Sequence, residues 1–201
     1  PGSVGRCRAG RAEGVEDPVA CCVERLWVQR GPEPDRRGVG AAVSALKAAE
    51  RPVVIAGGGV LYSGASDALR SFVEAHGVPM METQAGKSSL RHDHALNMGS
   101  VGVTGSSSSN QLAADADVVI AVGTRLQDFT TGSWALFQGA QVKIIGLNTQ
   151  PFDATKHGAL PLVADARAGI EALRAGLAGW KAPAAWMDEA KTGKSTWLKE
   201  A

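Results

Sequence analysis

Two short runs decide most of what this chain can fold into. Pro52–Ala56 (PVVIA) leads directly into Gly57-Gly58-Gly59, and Asp117–Val122 (DVVIAV) leads into Gly123. Neither run alternates apolar with polar residues, so each reads as a strand kept dry on both faces, as in a parallel sheet with helices above and below. The flanking sequence supplies those helices. Arg36 to Glu50 puts Val39, Val43, Leu46 and Ala49 on one face, and Arg51-Pro52 ends it because Pro disfavours a helical residue before it. Ser66 or Asp67 caps a helix through ASDALRSFVEAHG, with Leu69, Phe72 and Val73 inward and Gly77 as its stop. Further strands are expected at Val78–Thr83, Val142–Asn148 and Pro161–Asp165, and further helices at Ser107–Ala116 and Ala166–Ala178, the last with Ile170, Leu173 and Leu177 inward. Five strands alternating with helices make this an α/β chain with a doubly wound, mostly parallel sheet, Rossmann-like in the broad sense.

The layout is one domain with two tails. Residues 1–35 read as a poorly ordered lead-in, part of it added sequence; 36–180 form the α/β domain; 181–201 form a C-terminal linker or the start of a helix belonging to something else. Hydrophobic residues make up 44% of the chain, and 21 Lys and Arg balance 20 Asp and Glu to a net charge of +1. That balance, with no basic stripe, speaks against nucleic acid. No apolar run approaches the roughly 20 residues of a membrane helix, and the Gly- and Arg-rich start does not resemble a secretory signal. Cys7, Cys21 and Cys22 lack zinc spacing and make a poor disulfide framework, so free thiols in a reducing cytoplasm are expected.

Several motifs carry chemistry, each beside a plainer reading. The three glycines after Ala56 could admit a phosphate or ribose, or could simply make a tight strand-to-helix turn. They are not a GxGxxG fingerprint, since position 62 is Tyr and the nearest acidic residue to the end of the second strand is Glu82. Gly99 to Asn110, GSVGVTGSSSSN, leads Gly and hydroxyl residues into a helix start, either an anion nest or a flexible loop ending in a Ser cap. It lacks the Gly-Lys-Ser/Thr of an ATP-hydrolysing loop. His92-Asp93-His94 could begin a metal site but has no third ligand in place. Gly123-Thr-Arg-Leu-Gln-Asp128 sets Arg125 and Asp128 past a strand end, to meet a ligand or to pair with each other. No catalytic or metal set can be assembled. The loop over residues 84–106 is long enough to be functional or mobile.

The run from Arg51 to Trp134 resembles the middle domain of thiamine-diphosphate-dependent enzymes. HALNMGSVGVTGSSSSNQLAADADVVIAVGTRLQDFTTG is similar to the acetolactate-synthase-type pattern of a Gly-rich loop, helix, strand and "GxRxxD" turn. More narrowly, AGGGVLYSGA, METQAGKSSL, NMGSVGVTG and GTRLQDFTTGSWALFQ resemble the decyclizing trihydroxycyclohexane-1,2-dione acylhydrolases of myo-inositol catabolism. The resemblance covers roughly residues 20 to 180. It implies a central domain of the NAD/FAD-binding type, within an enzyme that hydrolytically opens a cyclic diketone to a 5-deoxy-glucuronate. It also implies that thiamine diphosphate and Mg2+ are bound elsewhere, by pyrimidine- and diphosphate-binding domains that are this chain's partners; no Gly-Asp-Gly segment occurs here. The fragment is expected to be a cytoplasmic structural and assembly element, homo-oligomeric and inactive alone.

The alternative is a module holding FAD or ADP. Relatives that bind FAD use the loop matching Gly102, Thr104 and Gly105 and the turn matching Gly123, Thr124 and Arg125; with Gly58 and Gly59 these are the candidate cofactor-binding residues. Two departures point to a vestigial site: Thr104 stands where the family loop has His, and a strand that often ends in an acidic residue ends here in Leu147-Asn148-Thr149. A free-standing NAD enzyme is disfavoured by the missing fingerprint. Trp134, Leu136 and Phe137 are the candidates for an exposed apolar patch through which the fragment would self-associate.

Overall fold

The computed structural model describes residues 31–138 and 142–200. The three cysteines and most of the segment 1–35 lie outside those residues. In chain order the elements are α1 (Arg36–Lys47), β1 (Pro52–Ala56), α2 (Gly58–Tyr62), α3 (Ser66–His76), β2 (Met80–Glu82), β3 (Asn97–Ser100), α4 (Ser107–Asp115), β4 (Val118–Val122), α5 (Asp128–Thr131), β5 (Lys143–Asn148), α6 (Pro151–Thr155), β6 (Leu160–Val163), α7 (Ala166–Gly176) and α8 (Ala184–Glu200). The strands form a six-stranded sheet in the order β3-β2-β1-β4-β5-β6, every pair parallel. This is the doubly wound order, in which the chain winds outward from β1 in one direction and from β4 in the other.

Burial explains the strands. All five residues of β1 and all five of β4 are buried, as their unbroken apolar runs require. Their neighbours in register, Pro52 with Val118 through Ala56 with Val122, form the middle of the sheet. Helix stripes cover the sheet: Leu69, Phe72 and Val73 of α3 and Ile170 and Leu173 of α7, with Leu177 just beyond, are all buried, and α3 and α7 lie against each other. Gly77 ends α3 in the left-handed conformation at φ 64°. Neither Ser66 nor Asp67 caps that helix. The turn out of α2 places the Ala65 N–H on the Val60 carbonyl at 2.8 Å, so Ala65 is the N-cap, and Asp67 pairs with Arg70 at 3.0 Å instead. Asp35, Ser106 and Asp165 do cap α1, α4 and α7 with their side chains. Asp117 ties the sheet to the preceding turn, accepting the N–H groups of Glu50 at 2.7 Å and Arg51 at 2.9 Å.

Three further features depart from the sequence reading. The sixth strand, β3, lies inside the stretch expected to be loop; it is a four-residue edge strand with only Asn97 and Met98 buried, so it has no apolar run to announce it. The expected patch at Trp134, Leu136 and Phe137 does not form. Phe137 is 4% exposed, and Trp134 is half-buried with its ring stacked on His157 at 4.0 Å between centroids. Finally, residues 184–200 form a 17-residue helix, α8, which lies against α4 and β3. Its Trp186 is buried, donates from Nε1 to the Pro52 carbonyl at 3.0 Å, and has the Arg51 guanidinium 5.5 Å from its ring centroid. Lys194 reaches the Asn97 carbonyl at 2.5 Å, so α8 is fastened at the starts of both β1 and β3. Among the described residues no helix is long and apolar enough to cross a membrane.

The Trp186 anchor is a strong test of this arrangement. Truncating a buried Trp to Ala costs about 3–5 kcal/mol. Trp186→Ala should therefore lower the urea midpoint of the whole domain, and an unchanged midpoint would show that α8 is not part of the cooperative unit.

Candidate functional site

Open α/β sheets bind ligands outside the carboxyl ends of their strands, where the winding direction reverses. Here that point lies between β1 and β4. A cavity of about 580 Å³ opens there, and Gly58, Gly59, Gly123, Thr124 and Arg125 all line it. Tyr62, Gln84 and Phe129 line it too, although none stood out in the sequence. Gly102, Thr104 and Gly105 do not; that loop reaches the cavity only through Val101. The structure therefore gathers five of the eight candidate cofactor residues in one place.

Two of these five, Gly59 and Gly123, donate their backbone N–H groups within the domain. The Gly59 N–H donates to the Gly123 carbonyl at 3.1 Å, the Gly57 N–H to Val122 at 2.8 Å and the Gly123 N–H to Leu147 at 2.8 Å. A Cβ on Gly59 would stand 2.6 Å from the Gly123 Cα, and Gly123 has φ 59°. These glycines are explained by two turns packed backbone to backbone, with no ligand required. Phosphate recognition needs N–H groups aimed at the anion, and these three point into the protein.

The Gly-rich loop behaves in the same way. The Asn110 side chain clasps Gly102, its Oδ1 accepting the Gly102 N–H and its Nδ2 donating to the Gly102 carbonyl, both at 2.9 Å. The Val103 N–H goes to the Phe129 carbonyl at 2.9 Å, Gly105 to Gly102 at 2.9 Å and Ser106 to Ser100 at 3.2 Å. Thr104 is exposed at the tip. What reads in sequence as an anion nest is a loop folded onto its own acceptors and onto α5.

Several polar side chains singled out in the sequence have partners within the domain. Arg125 makes no ion pair with Asp128; its guanidinium Nε donates to the Gln127 amide oxygen at 2.9 Å once that amide is turned to face it. Glu82, at the end of β2, is 6% exposed and accepts the Ser88 N–H at 3.1 Å, so it does not present a carboxylate to a ribose. Burial pushes its carboxyl above the usual range, against the opposing pull of the Ser88 N–H, Lys87, Asn97 and His92. Of the His92-Asp93-His94 trio, His94 bonds to Glu74 at 3.0 Å and Asp93 to Arg91 at 2.7 Å. Among the described residues no three His, Cys, Asp or Glu converge as metal ligands.

The family model for "thiamine pyrophosphate enzyme, central domain" matches residues 39–173. Three curated relatives share the name 3D-(3,5/4)-trihydroxycyclohexane-1,2-dione hydrolase. The protein of Clostridium tetani is 40% identical over 173 residues, 86% of this chain and 27% of its own length. That of Geobacillus thermodenitrificans is 40% identical over 190 residues, 94% of this chain and 29% of its own. A Clostridium perfringens protein is 43% identical over 151 residues, 75% and 24% respectively. The chain thus spans less than a third of each of these relatives.

Two measurements check the local geometry. Gly123→Ala should destabilise by about 2 kcal/mol or more, since it adds a clash to the cost of a left-handed residue. Gly64→Ala, at φ 59° with nothing within 4 Å of the new Cβ, should cost only about 1–2 kcal/mol. Equal losses in chemical denaturation would mean the turns are not in contact. For Glu82, a folded carboxyl titrating above its unfolded range binds its proton more tightly in the fold, so stability rises as pH falls through that raised range. The melting temperature of the wild type minus that of Glu82→Gln should therefore increase between about pH 7 and pH 5. A constant or shrinking difference would overturn the assignment.

Proposed function

This chain belongs to the family of thiamine pyrophosphate enzyme central domains, and from that premise we propose that it is the structural middle domain of a larger cytoplasmic, oligomeric hydrolase. The proposed reaction of the parent is the opening of 3D-(3,5/4)-trihydroxycyclohexane-1,2-dione by cleavage of a carbon–carbon bond, the substrate being the one named for the relatives. The observation that carries this reading is about 40% identity across most of the chain to relatives of which it spans less than a third. The domain's part is to hold the segments that do the chemistry.

The residues here do not fit thiamine diphosphate with Mg2+. Among the described residues Asp153 is the one carboxylate lining the crevice, and no metal-ligand cluster stands beside it. The cofactor is accordingly assigned to the remainder of the parent chain, and no step of the reaction is assigned to this one. FAD or ADP is not the favoured occupant, because the N–H groups of Gly59, Gly102, Gly105 and Gly123 already have carbonyl or amide partners. The candidate set Gly58, Gly59, Gly102, Thr104, Gly105, Gly123, Thr124 and Arg125 is therefore read as the remains of a nucleotide site that now serves packing.

A thermal melt of the 201-residue chain with FAD, ADP, and thiamine diphosphate plus Mg2+ tests the assignment. A ligand at a hundred times its dissociation constant stabilises by about 2.7 kcal/mol, a readily seen shift. None of the three should move the midpoint, whereas the parent enzyme should open the diketone only with thiamine diphosphate. A shift with FAD or ADP would restore a working nucleotide site. A parent inactive on the diketone under all conditions would overturn the substrate.

A further inference from the structure

The apolar surface of this domain is concentrated at one place. Among the described residues six large hydrophobic side chains are exposed: Leu61, Tyr62, Val103, Phe129, Phe152 and Leu198. Five of them, all but Leu198, surround the crevice at the carboxyl ends of the strands. Tyr62 and Phe129 line the cavity itself, Leu61 precedes Tyr62 in α2, Val103 is bonded through its N–H to the Phe129 carbonyl, and Phe152 precedes Asp153, another lining residue. Tyr62 is 92% exposed and Phe152 79%. Exposed aromatics gathered at one edge of a domain mark a surface that is covered in the working protein.

The chemistry of this edge suits a protein partner. Arg125 and Asp153 are the charged residues lining the cavity, and the Arg125 guanidinium is held by Gln127. Aromatic enrichment with depletion of charge is the composition of an interface centre. A diphosphate, the alternative occupant, would not find the Gly59 and Gly123 N–H groups, which donate to the Gly123 and Leu147 carbonyls.

Resting on the reading of this chain as a middle domain, we propose that the Tyr62–Phe129–Phe152 edge is a docking surface for an apolar face of another part of the same parent polypeptide. The length of the relatives argues for that occupant. This chain spans 27% of the Clostridium tetani protein and 29% of the Geobacillus thermodenitrificans protein, so most of such a polypeptide lies outside it. A segment tethered in the same chain meets this edge at a high effective concentration, which favours it over a free partner. A contact within one chain also needs less area than a separate complex, since association entropy is largely spent in the covalent link.

Hydroxyl-radical footprinting read by mass spectrometry tests the proposal on two samples, the 201-residue chain and the full-length parent, at the same low concentration. Oxidation of Tyr62 and Phe152 should fall several-fold in the parent, while exposed Leu198, away from this edge, serves as a reference within the 201-residue chain. Equal oxidation in both samples would overturn the proposal. So would protection in the 201-residue chain that grows with its concentration, which would assign the surface to a second copy, or protection there on adding FAD or ADP. The ring-opening assay on the same parent sample keeps the two ideas separate. An active parent with Tyr62 still open sinks the docking surface alone; an inactive parent with Tyr62 covered sinks the proposed substrate alone.

Discussion

A wholly parallel sheet leaves the chain no short way home. Each strand must be followed by a crossover, and both faces must be covered before the sheet is stable. That constraint sets nearly everything else here. It makes β1 and β4 apolar throughout, puts α3 and α7 with their buried stripes on the sheet, and forces the chain to leave every strand at the same edge. The turns that could meet a ligand therefore collect at one edge. The opposite edge receives the starts of the strands, and α8 closes part of it through Trp186 and Lys194.

The parts of the fold legible in the sequence are those where one physical signal dominates. Unbroken apolar runs located β1 and β4, and helical periodicity located α1, α3 and α7, because burial fixes both patterns without help from distant residues. β3 was not legible: a short edge strand needs little apolar area, and its pairing to β2 is a property of the assembled sheet. The depth of Phe137 and Trp134 was equally hidden. Trp134 is covered by His157, a residue from beyond β5, and no local pattern announces a contact across that distance.

The site was half legible for a similar reason. Gly59 stood among the glycines that could admit a phosphate or ribose and Gly123 among the candidate cofactor residues, but sequence cannot say what approaches them. A ligand and a second backbone make the same demand on a side chain, namely that it be absent. Only the hydrogen-bond partners separate the two, and those partners lie far off in the chain: Gly123 for Gly59, and Leu147 for Gly123. Asn110 illustrates the point again. As the last residue of a Ser-rich run it looks like solvated polar surface, yet its amide fixes Gly102 on both sides.

The contact between Gly59 and Gly123 has a consequence for how lineages of this domain diverge. Once two turns are locked backbone to backbone, selection keeps both glycines even after any bound nucleotide has been lost, because a methyl at either place would clash with the backbone of the other turn. A descendant could drop its ligand entirely and still display the glycines by which such ligands are usually recognised. Persistence of the motif among relatives would then record an architectural debt, and the residues that report true loss or gain of a ligand would be the less conspicuous ones at the rim.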